Sequence, residues 1–139
     1  MSIDNLTSSF GIAAAGMKAQ ATRLRVVAEN MANANSTSEV AGGDPYRRKT
    51  IVFSSLLDRA LSADKVEVKR IGRDESDFTL RYDPSHPAAD ENGYIKTPNV
   101  NSLVEAMDMR EAGRSYDANL NVMQQARTML GRTIDMLRS

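Results

Sequence analysis

Two stretches of this chain, one near each end, place apolar side chains at intervals alternating between three and four. In the first, Ile3, Leu6, Phe10, Ala13, Met17, Gln20, Leu24, Val27 and Met31 keep that rhythm, and Gln20 alone is polar. In the second, Met109, Tyr116, Met123, Leu130 and Leu137 recur every seventh residue, interleaved with Ala106, Gly113, Leu120 and Ile134. Arg127 falls on the same stripe. This rhythm turns one narrow face of an α-helix towards a partner helix, as in a coiled coil. Over residues 3–31 it predicts a helix about 40 Å long at ~1.5 Å per residue. Asn33, Asn35 and Ser36 mark its end, because short polar side chains compete for backbone hydrogen bonds. Val122, Met129 and Met136 form a second row beside the C-terminal stripe, which suits contact with more than one neighbouring helix. Gly11 and Gly16 each cost roughly 1 kcal/mol relative to Ala in a helix interior, so the first helix is marginal in isolation.

The middle has a different texture. Ala41-Gly42-Gly43-Asp44-Pro45 is a loop by its Gly and Pro content. Thr50-Ile51-Val52-Phe53 is β-branched and aromatic and predicts a strand, with a short helical turn over Leu56 to Leu61. Val66 to Lys69 and Phe78 to Tyr82 alternate apolar with polar, as half-buried strands do, and the polar run Gly72 to Asp77 is the expected hairpin loop between them. Asp83-Pro84-Ser85-His86-Pro87 leaves the sheet, Glu91-Asn92-Gly93 turns, and Tyr94-Ile95-Lys96 adds a last strand. A sheet of three or four short strands is near the minimum for stability and leans on the helices. The predicted fold is therefore mainly α with a small β insert. Long N- and C-terminal helices pair as a coiled-coil-like layer, and a short antiparallel β module lies between them. The segments are an N-terminal assembly helix over 1–35, a loop and β-rich insert over 36–98, and a C-terminal assembly helix over 99–139.

Composition narrows the function. Three Phe, four Tyr and no Trp in 139 residues limit the core this chain builds alone, and its Ala and Met suit close, adaptable helix contacts. Eighteen basic residues balance eighteen acidic ones, which argues against a nucleic-acid binder. Arg47, Arg48 and Lys49 then read as a solvated face or a strand entrance. With no cysteine, disulfides, thiolate zinc sites and cysteine nucleophiles are excluded. No apolar run approaches the ~18 residues of a membrane span, and the N-terminus lacks the basic region of a cleaved secretory signal. Asp83, His86 and Asp90 are the one metal candidate. Pro84 and Pro87 fix that stretch for turn geometry, and no second His completes a common zinc set, so it reads as a loop. Asp74, Glu75 and Asp77 read likewise. Phosphate loops and nucleophile elbows are missing. The expectation is a structural protein, not an enzyme, with no cofactor, metal, small-molecule substrate or nucleic acid. The alternative is a soluble helical binding module such as an export adaptor or chaperone.

Ala15-Gly16-Met17, Arg23-Leu24 and Asn30-Met31-Ala32-Asn33 resemble the axial proteins of the bacterial flagellum, the rod and hook proteins. Pro45-Tyr46-Arg47-Arg48-Lys49, Tyr82 to Pro87, Gly93-Tyr94-Ile95, Pro98-Asn99-Val100-Asn101 and Ala112 to Asn119 are similar to the proximal-rod members of that group. The sequence departs at Glu105-Ala106, where the family tends to have Glu-Met, and at Gly113, where Ser is usual. The resemblance implies uncleaved export through the flagellar type III apparatus and assembly into the periplasmic rod of the basal body. Terminal helices would line the export channel, with the middle module outside. Implied partners are the chain itself, other rod proteins, and neighbouring basal-body and export-apparatus subunits.

The candidate assembly interface is Leu6, Phe10, Met17, Leu24, Val27, Asn30, Met31, Asn33, Arg114, Tyr116, Leu120, Met123, Leu130, Ile134 and Leu137. Asn30 and Asn33, one turn apart, either cross-link neighbouring helices through their amides or simply end the helix. Arg114 and Tyr116 resemble a family pair suited to an intersubunit contact, the alternative being that Arg114 is simply solvated. Arg127 suits an ion pair or an aqueous channel, since unpaired burial would be costly.

Overall fold

The computed structural model describes residues 3–58 and 63–138. About half the chain is helical, in α1 (Ile3–Ala32) and α2 (Ser102–Arg138). Between the helices come β1 (Lys49–Asp58), β2 (Ala63–Arg73), β3 (Thr79–Tyr82) and β4 (Tyr94–Thr97). This is the mainly α architecture with a small β insert that the periodicities predict.

The strands pair differently from the expected single sheet. They form two two-stranded sheets, β1 with β2 and β3 with β4. β3 and β4 are antiparallel, with Thr79 opposite Thr97 and Tyr82 opposite Tyr94. Thr50 lies against Gly72 and Lys65 pairs with Asp58, so β1 and β2 also run in opposite directions. Gly72 to Asp77 is thus not a hairpin loop between β2 and β3, because Gly72 and Arg73 are the last residues of β2. Nor does a helical turn begin at Leu56: β1 runs through Leu56 and Leu57 to Asp58, and residues 59–62 lie outside those described. Ser54-Ser55-Leu56-Leu57 fits either period over so short a window, and pairing with the 11-residue β2 decides for the strand.

Helix ends follow local chemistry. Asn101 caps α2, its Oδ1 accepting from the backbone N–H groups of Leu103 at 3.0 Å and Val104 at 3.3 Å. At the end of α1, Asn33 Nδ2 donates to the Glu29 carbonyl at 2.8 Å, and Ser36 Oγ donates to the Asn33 carbonyl at 2.9 Å. Both carbonyls also accept a backbone N–H, from Asn33 and from Ser36, so the side chains reinforce the closing turns.

The chain divides into two compact units, each drawn from separated stretches of sequence. One comprises residues 1–24, 52–70 and 110–139. In it α1 and α2 run antiparallel along a seam of small side chains. Ala13, Ala112 and Ala126 are buried there together with Leu6. A Cβ added at Gly16 would lie 2.7 Å from Nδ2 of Asn119, so glycine is what lets the helices approach this closely. Arg23 pairs with Glu111 across the same seam at 3.2 Å. Along the hairpin of β1 and β2, Leu56, Val66 and Val68 face Ala15, Ala19 and Thr22 of α1 around a cavity of about 280 Å³.

The other unit comprises residues 25–51 and 71–109. Its apolar core is small: Val26, Val27, Ala88 and Ile95 are buried. Turns hold it in shape. Gly42 and Gly93 adopt φ of 68° and 83°, a region open to glycine at little cost. The Gly42 N–H donates to the Ala88 carbonyl at 3.1 Å, and Asp83 N–H to the Gly93 carbonyl at 2.9 Å.

Candidate functional site

Two kinds of surface compete for the functional role: the polar centre of the second unit and the exposed faces of the helices.

The polar centre gathers Asn30, Tyr46, Arg48, Lys49, Asp74, Asn99 and Glu105. Asn30 is 1 % exposed and Glu105 fully buried. The Asn30 amide docks on the Lys49 backbone as an adjacent strand would, donating from Nδ2 to the carbonyl and accepting at Oδ1 from the N–H, each at 2.9 Å. Its other capacities go to Glu105 Oε2, at 3.1 Å, and to the Tyr46 hydroxyl, which donates at 2.8 Å. All four hydrogen-bonding positions of that side chain are filled. The second Glu105 oxygen accepts from Nε of Arg48, whose other nitrogens lie 3.7 Å from Asp74 and 3.9 Å from Asp108. The Arg48 backbone N–H donates to Asn99 Oδ1 at 2.8 Å, and Asn99 Nδ2 donates to the Asp74 carbonyl at 3.0 Å. Beside this network Arg47 donates to the carbonyls of Asp74 and Ser76, each at 3.0 Å, and lies over the Phe78 ring at 4.2 Å. Lys49 pairs with Glu29 at 2.6 Å.

Electrostatics follow the same contacts. The Lys49 hydrogen bond holds the Glu29 carboxyl below its ordinary range. Hydrogen bonds from Ser76 lower Asp74, and the Lys96 ammonium lowers Asp44. Burial pushes the Tyr46 phenol up. Arg47, Arg48 and Lys49 are therefore a strand entrance whose cations are matched to carboxylates, carbonyls and a ring within the chain. Asp83, His86 and Asp90 serve turns: His86 Nδ1 accepts from the Ala88 N–H, Asp83 accepts from the Ser85 hydroxyl, and Asp90 accepts from the N–H groups of Asn92 and Tyr94. Among the described residues no group of three His, Asp or Glu is placed to hold a metal ion, and no helix is long and apolar enough to cross a membrane.

The candidate interface residues separate by exposure. Leu6, Val27 and Asn30 are buried against the chain itself. Met17, Leu24, Met31, Asn33, Tyr116, Leu120, Met123 and Leu130 are half-buried. Phe10, Arg114, Ile134 and Leu137 are exposed. Leu6, Phe10 and Leu130 meet around one groove with Ala126 and Arg127. Arg127 itself is exposed, because the seam passes through Ala126, one residue before the expected position, so no charge is buried there. Asn30 reaches α2 within its own chain, while Asn33 ends its helix.

Sequence reasoning missed Glu105 and the partners that neutralise it. An acidic residue four before Met109, on the inward side of α2, was the available signal. The second row read from the sequence, Val122, Met129 and Met136, lies on an exposed line of α2 in which Ala118, Gln125 and Arg132 fill the intervals of four and three.

Comparison with known proteins finds relatives along nearly the whole chain. Residues 10–38 match a family model described as flagella basal body rod protein, and residues 91–136 match one described as flagellar basal body rod FlgEFG protein C-terminal. The flagellar basal-body rod protein FlgC of Agrobacterium fabrum is 53 % identical over 137 residues, 99 % of each chain. The proteins of that name from Bacillus subtilis and Salmonella typhimurium are each 36 % identical, over 92 % and 94 % of this chain and 95 % and 97 % of their own lengths. In the polar centre Asn30 of α1 and the segments Pro45–Lys49 and Pro98–Asn101 converge, and by the identity and coverage of these relatives the chain belongs to the FlgC family of flagellar basal-body rod proteins.

Proposed function

We propose that this chain is a structural, non-catalytic subunit of the proximal rod, exported uncleaved by the flagellar type III apparatus and polymerised through α1 and α2. Its partners are copies of itself, other rod proteins, and adjoining basal-body and export-apparatus subunits. The helices form an inner layer beside the export channel, and the β strands lie outside it. One observation carries this reading. α2 fills its seam with α1 on one side, yet on another side keeps Val122, Met129 and Met136 exposed at 46 %, 46 % and 70 %. A helix with two apolar stripes has a second helix to meet.

The test is Met129→Asp. Because Met129 is exposed, the isolated chain should keep its circular dichroism and melting behaviour, while its recovery in purified basal bodies and swimming should fall to near zero. Normal swimming would sink polymerisation through this face. A stable dimer that does not change with concentration and never enters basal bodies would favour an export adaptor instead.

A further inference from the structure

Glu91-Asn92-Gly93 forms the last turn before β4 and carries the one Asn-Gly pair in the chain. The pair suits such a turn because glycine takes a positive φ at little cost, and Gly93 stands at 83°. Asparagine is also thermolabile, most of all before glycine, whose backbone nitrogen no side chain shields from the asparagine amide carbon. Asn92 is exposed, and its side-chain amide makes no hydrogen bond among the described residues.

The backbone beside that amide is held from several sides. The Gly93 N–H donates to the Asp90 carbonyl at 3.0 Å, and the Gly93 carbonyl accepts from the Asp83 N–H at 2.9 Å. Asp90 Oδ1 spans the pair, accepting from the N–H groups of Asn92 and Tyr94, each at 2.9 Å. The Asp90 N–H in turn donates to the Tyr94 carbonyl at 2.9 Å. Gly93 itself is buried, and a Cβ there would lie 3.0 Å from atoms of both Tyr82 and Pro84. The one nitrogen able to attack the Asn92 amide is therefore bonded elsewhere, in backbone with little room to turn.

We infer that Asn92 is a modification site, with water as its co-substrate, which the folded chain keeps silent and the unfolded chain exposes. In the open chain a base takes the Gly93 N–H proton, and that nitrogen bonds to Cγ of Asn92. The bond from Cγ to the amide nitrogen breaks, and the amide nitrogen leaves with a proton as ammonia. Water then opens the resulting cyclic imide at either carbonyl. Opening at Cγ gives aspartate on an unaltered backbone. Opening at the main-chain carbon routes the backbone through Cβ and Cγ, as isoaspartate. The two products differ in consequence. A carboxylate at position 92 meets solvent and leaves every bond of the turn in place. The isoaspartyl link adds a backbone carbon inside the span that Asp90 Oδ1 bridges. The turn then cannot both keep Gly93 against Pro84 and set Tyr94 opposite Tyr82. Copies that stay unfolded for long collect a defect that blocks the pairing of β3 with β4.

Peptide mapping by mass spectrometry tests it on the full chain, held at mildly alkaline pH either in buffer or in guanidinium chloride. In denaturant Asn92 should be converted to acid ahead of every other asparagine. In buffer the same conversion should run about tenfold more slowly, equivalent to roughly 1.4 kcal/mol of local opening. After dilution from denaturant, the aspartyl fraction should regain slow hydrogen exchange at Tyr94, and the isoaspartyl fraction should not. Asn92→Asp, made directly, should fold and melt as the wild-type chain does. Equal rates in buffer and in denaturant overturn the protection, and another asparagine reacting first in denaturant overturns the site. An isoaspartyl fraction with wild-type exchange at Tyr94, or an Asn92→Asp chain as defective as that fraction, overturns the consequence drawn for the hairpin.

Discussion

Asn30 shows how much one side chain organises when it lies between backbone and charge. Its amide meets both backbone groups of Lys49, the Tyr46 hydroxyl and the Glu105 carboxylate. In Asn30→Ala those groups lose their partner in a place with 1 % exposure, and each buried unsatisfied group costs about 1–3 kcal/mol. Urea unfolding of that variant should show a loss of about 2–4 kcal/mol. A loss under half a kcal/mol would mean that water replaces the amide. Gln20 makes the opposite case. Its Oε1 is buried and has no hydrogen-bond partner among the described residues. Gln20→Met keeps the length of the side chain and removes that oxygen, so it should raise stability by about 1–2 kcal/mol in the same measurement.

At the scale of elements, the two helices were legible from the sequence and their seam was half legible. The expected stripe on α1 passed through Leu6, Ala13 and Val27, and all three are buried. Between them it passed through Phe10 and Met17, whereas the packing turns Phe10 outward and places Gly16 against Asn119. On α2 the same shift of one residue replaces Gly113 with Ala112 and Arg127 with Ala126. Hydrophobic periodicity gives weight to large side chains, but close approach of two backbones selects small ones, and the large ones are displaced to the flanks. The polar centre was less legible. Its members are scattered from residue 30 to residue 105, and nothing local joins Glu105 to Arg48. The close approach gives a prediction. Gly131 has open space around it, so Gly131→Ala should stabilise the chain by about 0.5–1 kcal/mol through helix propensity. Gly16→Ala has the same propensity gain but must displace Asn119, and it should lose about 1 kcal/mol net. Adding Asn119→Ala should recover most of that loss, a coupling that a double-mutant cycle reads directly.

For the molecule as a whole, pH acts on the second unit from both sides. Glu29, Asp44 and Asp74 have folded-state values below their ordinary 4.5, 3.8 and 3.8. Their contribution is complete above those values and is lost as pH falls through the lowered ones. Tyr46 lies above its ordinary 10.0, so its contribution is complete below that value and is lost as pH rises through the raised one. Thermal melting followed from pH 3 to pH 11 should therefore show a plateau falling away at both ends. Tyr46→Phe should abolish the part of the alkaline decline that this phenol causes. An unchanged alkaline limb would assign that decline to other groups.

The polar centre also sets a timetable. Its parts come from residues 29–30, 46–49, 74–76, 99 and 105–108, so it closes only after about three quarters of the chain has become available. Contacts so far apart in sequence form late, because the intervening loops must be drawn together before any bond compensates for it. A chain delivered progressively from its N-terminal end would keep the Pro45–Lys49 segment unanchored until the start of α2 emerged. The knot that fixes the finished subunit is, for most of its delivery, not yet able to tie.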